Sequence, residues 1–249
     1  MADPGLLALF VIATFLGALV AGLAGFAFGL IAAAIWLHIL TPLQAATLIV
    51  CYGLIVQGYA VWKLRHALDW QRLLPMMIGG QLGIPLGVEL LRWLPAADMR
   101  AAIGVVLVAF SLYSLLRPKL RPMTDAGRLG DGIAGVASGI VGGATGLAGI
   151  LPTIWASLRG WTKDEQRAVF QPVAVAVFAG CLVWLGGTGS FDRPTLLLFL
   201  AGLPALFAGT WLGLRLYGRL DEAGFRKVVL ALLLLAGVAL VAPLIHLTY

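Results

Sequence analysis

Two glycine-dense stretches hold the residues whose types and spacing are best suited to chemistry. The first reads Gly22-Leu-Ala-Gly25-Phe-Ala-Phe-Gly29; the second reads Gly139-Ile-Val-Gly142-Gly143-Ala-Thr145-Gly146-Leu-Ala-Gly149, with Pro152 close behind. Glycine inside a helix costs about 1 kcal/mol against alanine, so such density marks either a turn or very close helix packing through small residues. For Gly22, Gly25 and Gly29, spaced at three and four, the two readings carry equal weight. In the second stretch the adjacent Gly142 and Gly143, with Thr145, Gly146 and Pro152, predict a broken helix. A helix that restarts at such a break presents free backbone N–H groups. They favour an anion by about 0.3–1 kcal/mol, up to ~2 kcal/mol when partly buried.

Polar side chains within apolar surroundings are the next candidates. Gln44, Thr47 and Cys51 recur at three and four, which places them near one helix face. Arg167 and Gln171 lie four apart in the second half of the chain, and Gln171 precedes Pro172, where a helix loses a backbone bond. Gln57, Gln81 and Glu89 complete the set. Other chemistries find no footing. His38, His66 and His246 are scattered without metal spacing. Ser138 lies in Gly135-Val-Ala-Ser138-Gly139 with no histidine placed to serve it, and no Walker loop is present. Cys51 and Cys181 each sit in an apolar run and are expected as small core residues.

The elements that position these residues follow from composition. Of 249 residues, 61% are hydrophobic and only 11% are charged, against about 25% charged in a soluble domain. From Asp3 to Lys63 no formal charge intervenes over 59 residues, and further uncharged runs cover 132–158, 168–191, 194–214 and 228–249. Crossing the hydrocarbon core takes about 20 apolar residues as a helix. The runs are continuous rather than alternating, which excludes a barrel and predicts an all-α integral membrane protein. Spans are expected near 42–62, 73–91, 98–116, 165–187, 194–214 and 226–246. The segments 5–40 and 132–158 are each too long for one straight helix and short for two, and each has a glycine-rich middle. They are expected as hairpins or pairs of short crossings, for about 8–10 membrane segments in all.

The net charge of +6 resides in loops, as expected of cytoplasmic positive charge rather than of a nucleic-acid surface. Counting spans between the clusters 63–72, 117–128, 159–167 and 215–227 puts all four on the cytoplasmic side. The chain also repeats itself. At an offset of 117, Gly22, Gly25 and Gly29 fall on Gly139, Gly142 and Gly146; at 126, Gly83 and Gly87 fall on Gly209 and Gly213. Two membrane repeats, residues 1–120 and 128–249, follow. Each has a hairpin and three spans, so the second is inverted relative to the first. Inverted repeats are typical of secondary transporters, with the site near the midplane where the repeats meet.

These residues also carry a resemblance. Gly142-Gly143-Ala-Thr145-Gly146, Pro152, Ser157-Leu-Arg159-Gly160 and Arg167-Ala-Val-Phe-Gln171 resemble the second-half signature of the TauE/SafE sulfite exporter family, and Gly25-Phe-Ala-Phe-Gly29 resembles the first-half one. One departure is Ala148-Gly149-Ile150-Leu151-Pro152, where many members read Gly-Gly-Pro. The resemblance implies a bacterial inner-membrane permease for sulfite, sulfoacetate or related anions, often working outwards. The expected substrate-binding residues are Gly22, Gly25, Gly29, Gln44, Thr47, Gly142, Gly143, Thr145, Gly146, Arg167 and Gln171. Expected partners are a small anionic solute, the lipid bilayer and, as one option, a second copy in a homodimer. No nucleic acid, cofactor, metal or enzymatic reaction is expected. The rival readings are a passive anion channel and, further off, an intramembrane enzyme or assembly subunit.

Overall fold

A computed structural model describes residues 4–25, 28–36, 38–65, 68–93, 126–186, 192–219 and 221–245, with isolated positions between 101 and 123. Every element among the described residues is a helix: α1 (Pro4–Ala24), α2 (Phe28–Trp36), α3 (Pro42–Leu64), α4 (Trp70–Trp93), α5 (Gly127–Thr145), α6 (Ile150–Leu158), α7 (Lys163–Gly186), α8 (Arg193–Tyr217) and α9 (Glu222–Ile245). Five of them, α1, α3, α4, α7 and α8, are long and apolar enough to cross a membrane. The span expected at 98–116 falls largely outside the described residues.

Both glycine-rich segments are broken helices of unequal arms. The first turns at Gly25, φ +93°, and the second at Gly146, φ +73°. An ordinary residue in the left-handed region costs roughly 1–2 kcal/mol, so glycine is what lets the chain turn there. Each break joins a long arm, α1 of 21 residues or α5 of 19, to a short arm of 9 residues, α2 or α6. Gly146 ends α5 in the αL manner, its N–H donating to the Gly142 carbonyl at 2.8 Å.

The other glycines of these segments serve contact. α5 lies along α4 so closely that a Cβ at Gly83 would strike the Val136 carbonyl oxygen, and one at Gly139 the Gly80 carbonyl oxygen. α1 lies along α8 in the same way: a Cβ at Gly209 would strike the Phe15 carbonyl oxygen, and one at Gly213 that of Leu19. With lipid on the outside, helices gain little from burying apolar surface, and close backbone approach through small residues supplies the packing. On α4 the neighbouring stripe Ile78, Leu82 and Leu86 is 58–67% exposed, as a lipid-facing surface should be. α3 and α7 occupy the centre, each about 61% buried over its most apolar stretch.

The basic loops gather at one end. Arg72, in the first turn of α4, approaches Glu165 at the start of α7 (3.4 Å). Arg159, after α6, donates to the Met123 carbonyl at 2.8 Å and lies 4.0 Å from Asp131. At the end of α8 the Tyr217 hydroxyl donates to Asp164. The far end is capped independently: Thr41 and Gln44 form a capping box at the start of α3, and Asp192 accepts from the Thr195 N–H at the start of α8 (2.9 Å).

Candidate functional site

α3 serves as a ruler for the two breaks. Gln57 donates to the Gly25 carbonyl at 2.6 Å, whereas Ile49 packs on Gly146. Eight residues of helix separate these contacts, so the breaks are staggered by about 12 Å along α3 rather than level. Between them lies Gly53. The starts of both short arms, Phe28-Gly29-Leu30 and Gly149-Ile150, line one narrow cavity there with Ile49, Gly53 and Gln57. Its volume is about 10 Å³, close to the minimum for one water. Gly29 and the Gly146 carbonyl meet across it, a Cβ at Gly29 falling 3.8 Å from that oxygen. Two positive helix ends therefore converge on a space too narrow for more than a water in this conformation.

The first break is surrounded by donors from other helices. Arg167 of α7 is 4% exposed and donates to the Gly22 carbonyl at 2.8 Å. Its guanidinium lies 3.8 Å from the centre of the Tyr217 ring. A cation at a helix C-terminus is favourable, and here it caps a carbonyl in the last turn of α1. Gln171, 1% exposed, places Nε2 3.5 Å from the Gly25 carbonyl. Arg167 Nε, Gln171 Oε1 and Gln57 Oε1 are buried without a hydrogen-bond partner. Each such group costs about 1–3 kcal/mol, so this cluster has binding capacity left over.

The second break is held by its own segment. Ser138 donates to the Ala148 carbonyl at 2.7 Å. Thr145 donates to the Val141 carbonyl at 2.6 Å and accepts from the Leu147 N–H at 3.2 Å. From α3 it receives Ile49 and the Ala46 backbone.

Among the residues singled out from sequence, Gly29 and Gly146 line the cavity, and Gly25, Arg167 and Gln171 meet at the first break. Gly22 packs on Thr210 and Gly213 of α8, and Gly143 on Ile84 and Gly87 of α4. Gly142 faces Val177 and Ala148. Thr145 spends its hydroxyl within the break. Gln44 belongs to the capping box, and Thr47 donates to the Leu43 carbonyl at 2.8 Å; neither is part of the cavity lining. Gln57 and Ser138 emerge as central. Glutamine inside an apolar span was the signal for Gln57, but no spacing tied it to Gly25, 32 residues earlier. Cys51 and Cys181 are free thiols, half-buried and buried.

Long apolar helices around two glycine breaks define a multi-pass α-helical membrane protein. The chain belongs to the TauE/SafE sulfite exporter family: the family model described as "Sulfite exporter TauE/SafE" matches residues 9–240. A curated relative, the "Probable sulfite/organosulfonate exporter TauE" of Cupriavidus necator, is 27% identical over 187 residues, 74% of this chain and 72% of the relative. No solved structure matches the chain significantly.

Proposed function

We propose that the protein is a secondary transporter that exports small organosulfur anions, sulfite or an organosulfonate such as sulfoacetate, across the bacterial inner membrane. The observation that carries this reading is the convergence of two short-helix N-termini, α2 and α6, on one narrow cavity, with the buried Arg167 at the first break next to it. The helix ends supply backbone donors near Gly29 and Gly149. Arg167 exchanges its bond to the Gly22 carbonyl for the incoming anion, and Gln171 and Gln57 turn their amides towards it. The family and the relative's printed function support an exported anion.

The repeat reading is supported by matched contacts. Gly25 meets Phe170 and Arg167; 121 residues away on each partner, Gly146 meets Ile49 and Ala46. Gly209 and Gly213 face α1 as Gly83 and Gly87, 126 residues earlier, face α5. We read residues 1–120 and 128–249 as two oppositely inserted copies that exchange partners, α1 with α8 and α5 with α4. The breaks pair at 121 residues, one helical turn beyond the 117 that the glycine spacing alone suggests.

A cavity of about 10 Å³ is too small for an oxyanion, which favours a carrier that opens by moving helices over a standing channel. Efflux of labelled sulfite and sulfoacetate from proteoliposomes tests the proposal. A carrier shows efflux accelerated by the same anion outside; flux indifferent to the opposite side speaks for a channel, and no flux of either anion refutes the assignment.

A further inference from the structure

The narrow cavity between the breaks has a large neighbour. α3 and α8 touch at the end away from the basic loops. There Tyr52 stacks on Phe199 with ring centres 5.2 Å apart, and its hydroxyl donates to the Phe199 carbonyl at 2.8 Å. Towards the basic end the two helices part and leave a cleft of about 530 Å³, lined by Ile55, Val56, Tyr59, Thr210, Trp211 and Arg215 among others. Val56 lines both this cleft and the cavity at the breaks.

The other half of the molecule closes the equivalent positions. Gln81 of α4 donates to the Ala176 carbonyl of α7 at 2.6 Å, and Gly180 of α7 lets Gln81 and Ile84 lie against its backbone. At the offsets established above, Ile55 stands for Ala176, Phe207 for Gln81 and Thr210 for Ile84. Where the sealed pair has Gly180, the parted pair has Tyr59. The asymmetry therefore includes a change of side chain: a glycine admits α4 to α7, and at the matching place on α3 stands Tyr59, which lines the cleft with its ring stacked on Trp62.

The cleft also has the chemistry of an amphipathic anion. Thr210 belongs to this wall but is only 7% exposed, and its hydroxyl is covered and has no hydrogen-bond partner. Arg215 stands near the end of α8 with its guanidinium 3.7 Å from the centre of the Trp211 ring, a cation at the mouth of an otherwise apolar wall.

We infer that the α3/α8 cleft is the vestibule through which the transported anion enters from the basic-loop face, with Arg215 receiving its charged head, the apolar wall its organic tail, and Val56 forming the barrier to the cavity at the breaks. The inference rests on the transporter reading. It also commits the cleft to solute rather than to a lipid chain.

The test uses reconstituted full-length protein lacking Cys51 and Cys181, with Thr210→Cys or Arg215→Cys introduced singly. The probe is an impermeant ethylsulfonate thiosulfonate, a thiol reagent that is itself a small sulfonate. Both cysteines react from the basic-loop face alone, sulfoacetate slows the reaction about threefold, and modification lowers sulfoacetate efflux about tenfold, as expected for a filled entry path. Arg215 is exposed, so its variant keeps the fold even if the Thr210 variant does not. Separately, Arg215→Ala raises KM for sulfoacetate about fivefold with the maximal rate unchanged, and Arg215→Lys restores most of it, the size expected of one mouth charge. Reaction with a lipid-soluble maleimide but not with the charged reagent makes the cleft a lipid crevice and overturns the inference. Labelling that leaves a measurable efflux unchanged overturns it while sparing the transport reading. Absence of efflux in the unmodified wild type removes both.

Discussion

At Gly25 the chain turns under Phe170 and Arg167; at Gly146 it turns under Ile49 and Ala46. The two turns share a left-handed glycine, a long arm before it and a nine-residue arm after it, yet their support differs. The first is held by donors reaching in from α3 and α7, with Arg167 on the Gly22 carbonyl and Gln57 on that of Gly25. The second closes upon itself through Ser138 and Thr145. A break tied by distant side chains can be released when those side chains find a better partner. A self-capped break keeps its shape while its neighbours move. On the proposed transport function, this difference makes the first break the responsive one and the second the fixed floor of the site.

That contrast can be broken in order of effect. Gly25→Ala is the most damaging change: its Cβ would lie 2.7 Å from Phe170 Cζ in a left-handed backbone, and efflux per folded molecule falls about a hundredfold. Gly146→Ala meets Ile49 at 3.0 Å and costs about tenfold, because φ there lies nearer the αL minimum. Equal losses at both glycines would erase the proposed asymmetry.

Arg167→Ala follows, with about a tenfold fall in efflux and partial recovery in Arg167→Lys, since one charge survives without the planar fork. Ala46→Ser, at the matching place on α3, changes efflux by less than about twofold. An Arg167→Ala protein with unaltered rate and KM would leave the residue as a helix-end partner alone.

Ser138→Ala removes the bond that braces the second break. It lowers stability by about 1 kcal/mol, read as an earlier thermal midpoint in detergent, with KM for sulfoacetate unchanged. A raised KM instead would make the second break part of the responsive machinery. Gln44→Ala sits at the bottom of the scale. Loss of its half of the capping box costs about 0.5–1 kcal/mol and no affinity.

Five long apolar helices and both breaks were readable because lipid leaves so few alternatives: an uncharged run must be helix, and dense glycine must be either a turn or a contact. Arg167 with Gln171 was readable too, as two polar groups one turn apart in such a run. What misled was the four-residue spacing of small residues. Gly22, Gly25 and Gly29 match Gly139, Gly142 and Gly146 as glycines, but the backbone pairs Gly25 with Gly146, because a glycine ladder can slide by one turn without losing its pattern. The spacing of Gln44 to Thr47 put it on a helix face, and the capping box it makes with Thr41 three residues earlier was not read from it. Asp131, 2% exposed and bonded to Trp155 at 2.7 Å, was invisible because its partner comes 24 residues later. The parting of α3 from α8 needs Tyr59 and Gly180 compared in register, which the backbone supplies.

The account turns on where the anion rests. Crystals grown with selenite in place of sulfite would locate it through selenium's anomalous signal. Selenium between the starts of α2 and α6, with oxygens in hydrogen-bond reach of the Gly29 or Gly149 backbone and of the Arg167 guanidinium, is the expected result. A single selenium site away from both breaks, with Arg167 still on the Gly22 carbonyl, would contradict it.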